Sequence, residues 1–335
     1  MAESQTIAAR ESLLALQSYL EVPMKGVMSL VEESLRSDIA LLDHTNRSLL
    51  AQGGKRIRPM MALLSCGAAG GICPDGIRFA AAAELLHNAT LLHDDVVDGS
   101  GERRGFPTVR TILNGPASVL IGDYWLVKAM DVILGSSRCS EYAISMFSKT
   151  LSDLAEGELL QLQKACCCDT DYDDYLKIVY CKTASLFVSS CRTAARAAGA
   201  TEEVETALGE YARAVGIAFQ IRDDILDYEG GEALGKPCCQ DIREQKITLP
   251  FLCAMGNLPA SEQSEWRSRA ARVHEDPSLV EEIHSFVLSN GGIEGAQKVL
   301  EEYTEKAVSA LSALGDSEEK SYLAGLARYL GARDY

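Results

Sequence analysis

Long alanine- and leucine-rich segments, in which apolar residues recur with the spacing of a helix, fill most of this 335-residue chain. Strict alternation of apolar and polar residues, the pattern of a half-buried strand, is scarce. Glycine and proline separate the segments, but no break has the composition of a flexible linker. The sequence predicts an all-α protein, one bundle of about a dozen helices. The pattern is clearest at residues 76–92, 117–134, 149–163, 175–198 and 206–226.

Composition and charge exclude several classes of protein. The chain is 47% apolar, enough for a sizeable core, and its net charge is −16. Because a nucleic-acid-binding surface needs a basic face, we expect no nucleic-acid partner. The N-terminus lacks the pattern of a signal peptide, and no stretch approaches the roughly 20 apolar residues of a membrane span. These features predict a cytoplasmic protein.

Two copies of one acidic motif stand at the ends of two helical segments. The first is HDDVVDG at residues 93–99, and the second is RDDILDYEGG at residues 222–231. In each, the first and last aspartates are four residues apart and lie on one helix face. A helix C-terminus carries about half a negative charge, so each carboxylate there costs several tenths to about 1 kcal/mol unless a cation compensates it.

Carboxylate oxygens are ligands that suit Mg²⁺, which commonly binds through one or two carboxylates and the phosphates of a substrate. A single acidic helix end is often merely solvated. Two such ends, each preceded by apolar residues and followed by glycine, predict a diphosphate that metal ions bridge between them.

Basic residues complement the acidic motifs. The segment GGKRIRP, residues 53–59, sets three cations and two glycines together in an acidic protein. It lacks the Ser or Thr and the preceding strand of a nucleotide P-loop, so we interpret it as an anion cradle. Arg103 and Arg104 follow the first acidic motif, and guanidinium groups match diphosphate oxygens well. Further candidates, each unremarkable alone, are Lys182, Thr183, Gln220, Lys236 and Lys246.

The ordered series GGKRIRP, HDDVVD, RRG, KT, FQIRDDILDY, GK and a later lysine resembles the trans-isoprenyl diphosphate synthases, from about residue 25 to residue 330. The resemblance is strongest to long-chain polyprenyl members of the octaprenyl type. It implies an isoprenoid synthase bundle with a central active-site cavity, a single domain at residues 1–335 with its core at about 25–330. It also implies a homodimer.

The resemblance assigns roles to individual residues. Asp94, Asp98 and Asp223 would hold three Mg²⁺ ions on the allylic diphosphate. Asp227 is a further candidate ligand. Asp95 and Asp224 would either bind the metal ions directly or orient the aspartates that do. The residues that would contact the allylic diphosphate or lie beside it are Arg103, Lys182, Thr183, Gln220, Lys236 and Lys246. Those that would bind the diphosphate of isopentenyl diphosphate are Lys55, Arg58, His87 and Arg104.

The implied reaction adds isopentenyl diphosphate to an allylic primer, farnesyl or geranylgeranyl diphosphate. Breaking the allylic C–O bond leaves diphosphate and a carbocation, so catalysis chiefly requires metals, arginines and lysines that stabilise the leaving group's charge. The double bond of isopentenyl diphosphate attacks the cation, and loss of a proton leaves a chain longer by one isoprene unit. No protein nucleophile is needed.

The helix before the first motif can act as a ruler, because one turn rises about 5.4 Å, roughly the length of an isoprene unit. Short-product relatives carry bulky aromatics four or five residues before the first aspartate, where this chain has Ala89 and Thr90. We expect a product of about C40, with C35 to C50 open, and transient membrane association at release. The chain-length candidates are Ala83, Leu86, Ala89, Thr90, Met146 and Phe147.

Other interpretations remain open. A shorter-chain geranylgeranyl diphosphate synthase would share every motif. A terpene cyclase or head-to-head prenyltransferase shares acidic motifs but needs no isopentenyl diphosphate site, so GGKRIRP argues against it. A regulatory subunit would be expected to have lost aspartates, and all six remain. A metal-buffering protein would leave the basic residues unexplained.

Overall fold

A computed structural model of the chain describes residues 13–103, 105–230 and 239–332. All five segments with helical spacing are helical, as predicted. The helices of the first half are α1 (13–19), α2 (Glu21–Ser34), α3 (Ala40–Ala51), α4 (Ile57–Gly70), α5 (Pro74–Val97), α6 (Val109–Ile112), α7 (Gly115–Leu134) and α8 (Ser140–Cys167). Those of the second half are α9 (Tyr172–Val179), α10 (Ser185–Ala197), α11 (Glu202–Glu229), α12 (Gln240–Arg243), α13 (Leu249–Gly256), α14 (Ala260–Ala271), α15 (Leu279–Ser289), α16 (Gly292–Ala310) and α17 (Glu318–Ala332).

Helix α5, which ends in the first acidic motif, is surrounded by α2, α4, α7 and α10. Pro74 occupies its first turn, where a missing N–H costs nothing. The Asp75 carboxylate accepts hydrogen bonds from the backbone N–H groups of Ser137 at 3.0 Å and Arg138 at 2.8 Å, which ties the start of α5 to the loop between α7 and α8. The alanines at 80–83 have no exposed surface, so their small side chains serve close helix packing.

Helix α11, which carries the second acidic motif, packs against α10 and α16. A Cβ added to Gly216 of α11 would lie only 2.5 Å from the Cα of Ala184. A Cβ added to Gly157 of α8 would lie 2.6 Å from the Cβ of Cys181. Two glycines on different helices therefore allow the segment between α9 and α10 to pack tightly against both.

That segment departs from the predicted regular helix over residues 175–198. Residues Tyr180–Ala184 form a π-helical turn between α9 and α10. Such a turn is rare, is often found at functional sites, and here contains Lys182 and Thr183. Nothing in the local sequence predicts it.

The only strands among the described residues form a small ribbon after the first acidic motif. Strand β1 (Glu102–Arg103) pairs antiparallel with β2 (Phe106–Pro107). Gly105, with φ of 78°, makes the turn between them. None of the helices that the structure describes has both the length and the apolar composition that a membrane crossing requires.

Candidate active site

The first acidic motif closes helix α5. Asp98 follows the last helical residue, and its N–H donates to the carbonyl oxygen of Asp94 at 2.8 Å. Burial raises the pKa of Asp94 to about 6; Glu158 and Asp98 add to this rise, while Lys182 opposes it. The carboxylates at this helix end therefore repel one another, as the sequence predicts.

The second acidic motif lies in the last turns of α11. The carboxylate of Asp227 accepts hydrogen bonds from the backbone N–H groups of Gln240 at 3.0 Å and Asp241 at 3.2 Å. Asp227 thereby holds the start of α12 against the end of α11. Asp223 is half-buried, whereas Asp224 is buried.

The chain brings the two motifs to one place. Lys246, which follows α12, lies with its Nζ 3.5 Å from Oδ1 of Asp98 and also pairs with Glu244. It lines a cavity of about 160 Å³ together with Lys182 and Asp224. Residues from the second motif and from the π turn therefore line one cavity, and Lys246 connects that cavity to Asp98 of the first motif.

Two of the predicted diphosphate-binding cations are held by carboxylates. The ammonium group of Lys182 pairs with Glu158 of α8. The Nε of Arg103 lies 2.8 Å from Oδ1 of Asp95, which is buried. Both cations are partly exposed, and a diphosphate has oxygens to which they can bind in place of these carboxylates.

The predicted anion cradle forms the start of α4. Gly53, with φ of 67°, and Arg56, with φ of 51°, turn the chain before the helix, and Pro59 lies in its first turn. Arg58 stacks over the ring of Phe187, its guanidinium carbon 4.6 Å from the ring centroid. Lys55 is exposed and borders a separate cavity of about 370 Å³ between α2 and α4.

The donor set suits a divalent cation that oxygen ligands bind. The aspartates supply oxygens only, and burial raises the pKa values of Asp95 and Asp227 as it does for Asp94. A cation between these carboxylates would offset their repulsion. Within the described ranges no three His, Cys, Asp or Glu side chains already form a group that could hold a metal ion.

Comparison with known proteins decides the family. Residues 39–287 match the polyprenyl synthetase family. The chain belongs to this family. It is 38% identical over 314 residues to the octaprenyl diphosphate synthase of Escherichia coli K12, covering 93% of this chain and 96% of that relative. It is therefore a prenyltransferase, a polyprenyl diphosphate synthase.

Solved structures agree with this assignment. The crystal structure of a polyprenyl synthase from Caulobacter crescentus CB15, complexed with calcium and isoprenyl diphosphate, superposes with a TM-score of 0.88 at 33% identity, covering 96% of this chain and 98% of the other. A decaprenyl diphosphate synthase from Rhodobacter capsulatus gives a TM-score of 0.88 at 34% identity, with coverages of 95% and 98%. The predicted fold, an all-α isoprenoid synthase bundle, is confirmed.

The chain-length candidates of the synthase lie in its interior. Ala83, Leu86 and Ala89 on α5 have no exposed surface, and Phe147 of α8 belongs to the same apolar core cluster. Thr90 is half-buried, and its hydroxyl donates to the carbonyl oxygen of His87 at 2.8 Å. His87 and Met146 are also half-buried.

Several residues around the cavity have no counterpart among the predicted ones. Tyr175, which donates to Asp224, and Asp241 line the cavity, whereas Glu158 and Glu244 pair with the cavity lysines Lys182 and Lys246. Asp241 and Glu244 precede the predicted Lys246 by only a few residues, and this nearness was the only sequence feature that could have indicated them. Two predicted contacts, Arg104 and Lys236, lie outside the described residues.

Proposed function

We propose that this synthase is Mg²⁺-dependent and makes a long all-trans product, best matched by octaprenyl diphosphate, from isopentenyl diphosphate and farnesyl or geranylgeranyl diphosphate. The observation that carries the proposal is that Lys246 connects the two acidic helix ends: its Nζ lies 3.5 Å from Asp98 of the first, and it lines one cavity with Asp224 of the second. Residues 1–335 would act as one domain with its core at about 25–330.

The metal ions would be held by the carboxylates at the two helix ends, which are Asp94 and Asp98 on one side and Asp223 and Asp227 on the other. When bound, three Mg²⁺ ions would supply positive charge to the diphosphate oxygens as the allylic C–O bond breaks. Asp95 and Asp224 would support this arrangement, since their hydrogen bonds to Arg103 and Gln220 fix both side chains.

The protein's own cations would bind the leaving diphosphate. Lys246 and Arg103 pair with Asp98 and Asp95 of the first motif, and Lys182, which lines the cavity, pairs with Glu158. When a diphosphate binds, these side chains would exchange their carboxylate partners for diphosphate oxygens. They would then stabilise the charge that develops on the diphosphate in the transition state. Lys236, which lies outside the described residues, is proposed for the same role from the sequence alone.

Polar oxygens at the cavity wall would face the carbocation. The hydroxyl of Thr183 donates to Oε1 of Gln220 at 2.9 Å, and both residues line the cavity. Neither can act as a strong base, so they can stabilise a cation without capturing its proton. The diphosphate of isopentenyl diphosphate would bind to Lys55, Arg58, His87 and Arg104.

Replacing Thr90 with phenylalanine is expected to shorten the product. Thr90 precedes Asp94 by four residues, so it lies on the same face of α5 as the first aspartate, one turn away. A bulky ring there would block the path along the helix. Chromatography of the dephosphorylated products should show a ladder that ends earlier than in wild type. Thr90→Val, which keeps the size, should leave the ladder unchanged; an unchanged ladder for Thr90→Phe would rule out this position as a length determinant.

A homodimer through α7 is proposed from one apolar stripe. Leu120, Val127 and Leu134 are 68%, 54% and 62% exposed and stand seven residues apart, whereas the other side of α7 packs on α5. Light scattering should give twice the mass of one chain, and Val127→Asp should shift the equilibrium toward monomer because it places a charge in the stripe. A wild-type mass of one chain would contradict the proposal.

The test of function is incubation with farnesyl diphosphate, labelled isopentenyl diphosphate and Mg²⁺, followed by chromatography of the dephosphorylated products. A ladder that ends near C40, and is lost when a chelator removes the metal, is the expected result. A ladder that ends at C20 would favour the shorter-chain alternative, and a cyclic hydrocarbon would favour a cyclase.

We propose that the reaction takes place in the cytoplasm, with transient membrane association at product release and no nucleic-acid partner.

A further inference from the structure

Tyr175 joins two helices at the wall of the active-site cavity. It lies in α9, is 3% exposed, and lines the cavity. Its hydroxyl donates to Oδ2 of Asp224 on α11 at 2.6 Å. Hydrogen bonds to a charged acceptor are short and about twice as strong as neutral ones. This bond links the second acidic motif to the helix that leads into the π turn.

The other oxygen of the same carboxylate orients an amide. Nε2 of Gln220 donates to Oδ1 of Asp224 at 2.9 Å, and Oε1 of Gln220 accepts from Thr183 at 2.9 Å. An ionised carboxylate can only accept, so in that state the NH₂ group of Gln220 faces Asp224 and its oxygen faces Thr183. The four residues form one chain of hydrogen bonds, in which Asp224 is the shared acceptor.

We propose that Tyr175 is a positioning residue: by holding the carboxylate of Asp224, it fixes the amide of Gln220 at the cavity wall. Asp224 is 3% exposed, and burial leaves its oxygens dependent on protein donors. Without the Tyr175 hydroxyl, Oδ2 would lose its partner, and the carboxylate would rotate toward another donor and release Gln220. The inference rests on the proposed function and adds to it a residue that acts through Asp224.

Tyr175→Phe removes one oxygen and should lower kcat about ten- to a hundredfold, as loss of a hydrogen bond to a charged group does. The KM for isopentenyl diphosphate should stay within about twofold, because the diphosphate-binding cations are untouched. The matched control is Tyr172→Phe in the same helix, whose ring is 43% exposed and which should retain wild-type kcat. An unchanged kcat for Tyr175→Phe would overturn the inference.

A double-mutant cycle with Asp224→Asn separates positioning from general damage. If Tyr175 acts through Asp224, the double variant should have the kcat of Asp224→Asn within about twofold. Losses that multiply would mean that Tyr175 acts independently, and the inference would fail while the proposed function stood. If Tyr175→Phe does not fold, the cycle of Asp224→Asn with Gln220→Ala must show the same non-additivity. A wild-type protein that makes no prenyl product would instead refute the proposed function, and this inference with it.

Discussion

Asp94→Asn is expected to lower kcat/KM about a thousandfold or more, the scale of losing a main charge-stabilising group in a transition state. Asparagine keeps the size of the side chain and removes its charge. Asp94 lies at the end of α5 beside Asp98, close enough to Lys182 for their charges to interact. A neutral side chain there would weaken metal binding on the first motif and so remove charge from the leaving diphosphate.

The same substitution should stabilise the fold in the absence of metal and substrate. Asp94 is half-buried, and desolvation together with repulsion by Glu158 and Asp98 disfavours its charged form. Thermal unfolding without Mg²⁺ should therefore show a higher Tm for Asp94→Asn than for wild type, opposite in sign to the loss of activity. The control is Asp131→Asn on α7, whose side chain is 56% exposed and which should change neither quantity. Full activity in Asp94→Asn would remove the first motif from the proposed metal site.

The helices could be predicted because their signals, capping residues and the spacing of apolar residues, lie within each helical segment. The acidic tract at 169–174 is typical of a helix N-terminus, and α9 begins there: Asp171 accepts from the N–H of Asp174 at 2.8 Å in a capping box. Helical spacing likewise predicts α5, α7 and α11. The π turn at Tyr180–Ala184 could not be predicted, because it depends on close contacts with Gly157 and Gly216, which lie on other helices.

The candidate site also has residues that the sequence predicts and residues that only the structure reveals. Asp94, Asp98 and Asp223 stand out because carboxylates four residues apart at a helix end are unfavourable without a compensating cation. The partners that hold the site together give no such signal. Tyr175 meets Asp224 from 49 positions away, and Lys246 meets Asp98 from 148 positions away. Only the folded chain shows which tyrosine or lysine does this.

Glu205 shows how far a local interpretation can mislead. It stands in the first turn of α11, where an acidic side chain normally faces solvent and the helix dipole. In the structure its side chain is 1% exposed. One carboxylate oxygen accepts from Arg192 Nη2 at 2.7 Å and from the hydroxyl of Tyr142, and the other accepts from Arg196. This carboxylate therefore joins α8, α10 and α11 through buried, charge-assisted bonds.

Glu205→Gln should lower the free energy of unfolding by about 1.5 kcal/mol at neutral pH, since the two partly exposed arginines lose hydrogen bonds to a charged acceptor. Burial raises the pKa of Glu205, but the bonds from Arg196, Tyr142 and Arg192 outweigh it, so the pKa lies below its ordinary value. Such a group stabilises the fold above the unfolded pKa of about 4.3 and loses this effect as the pH falls through the folded value. In urea titrations, the difference in unfolding free energy between wild type and Glu205→Gln should therefore be largest above pH 5 and should disappear in acid.

The exposed pair of Glu21 with Lys25 is the control, and Glu21→Gln should leave the urea midpoint unchanged. A difference that persisted undiminished in acid would show that lost packing, and not lost charge, destabilises the variant.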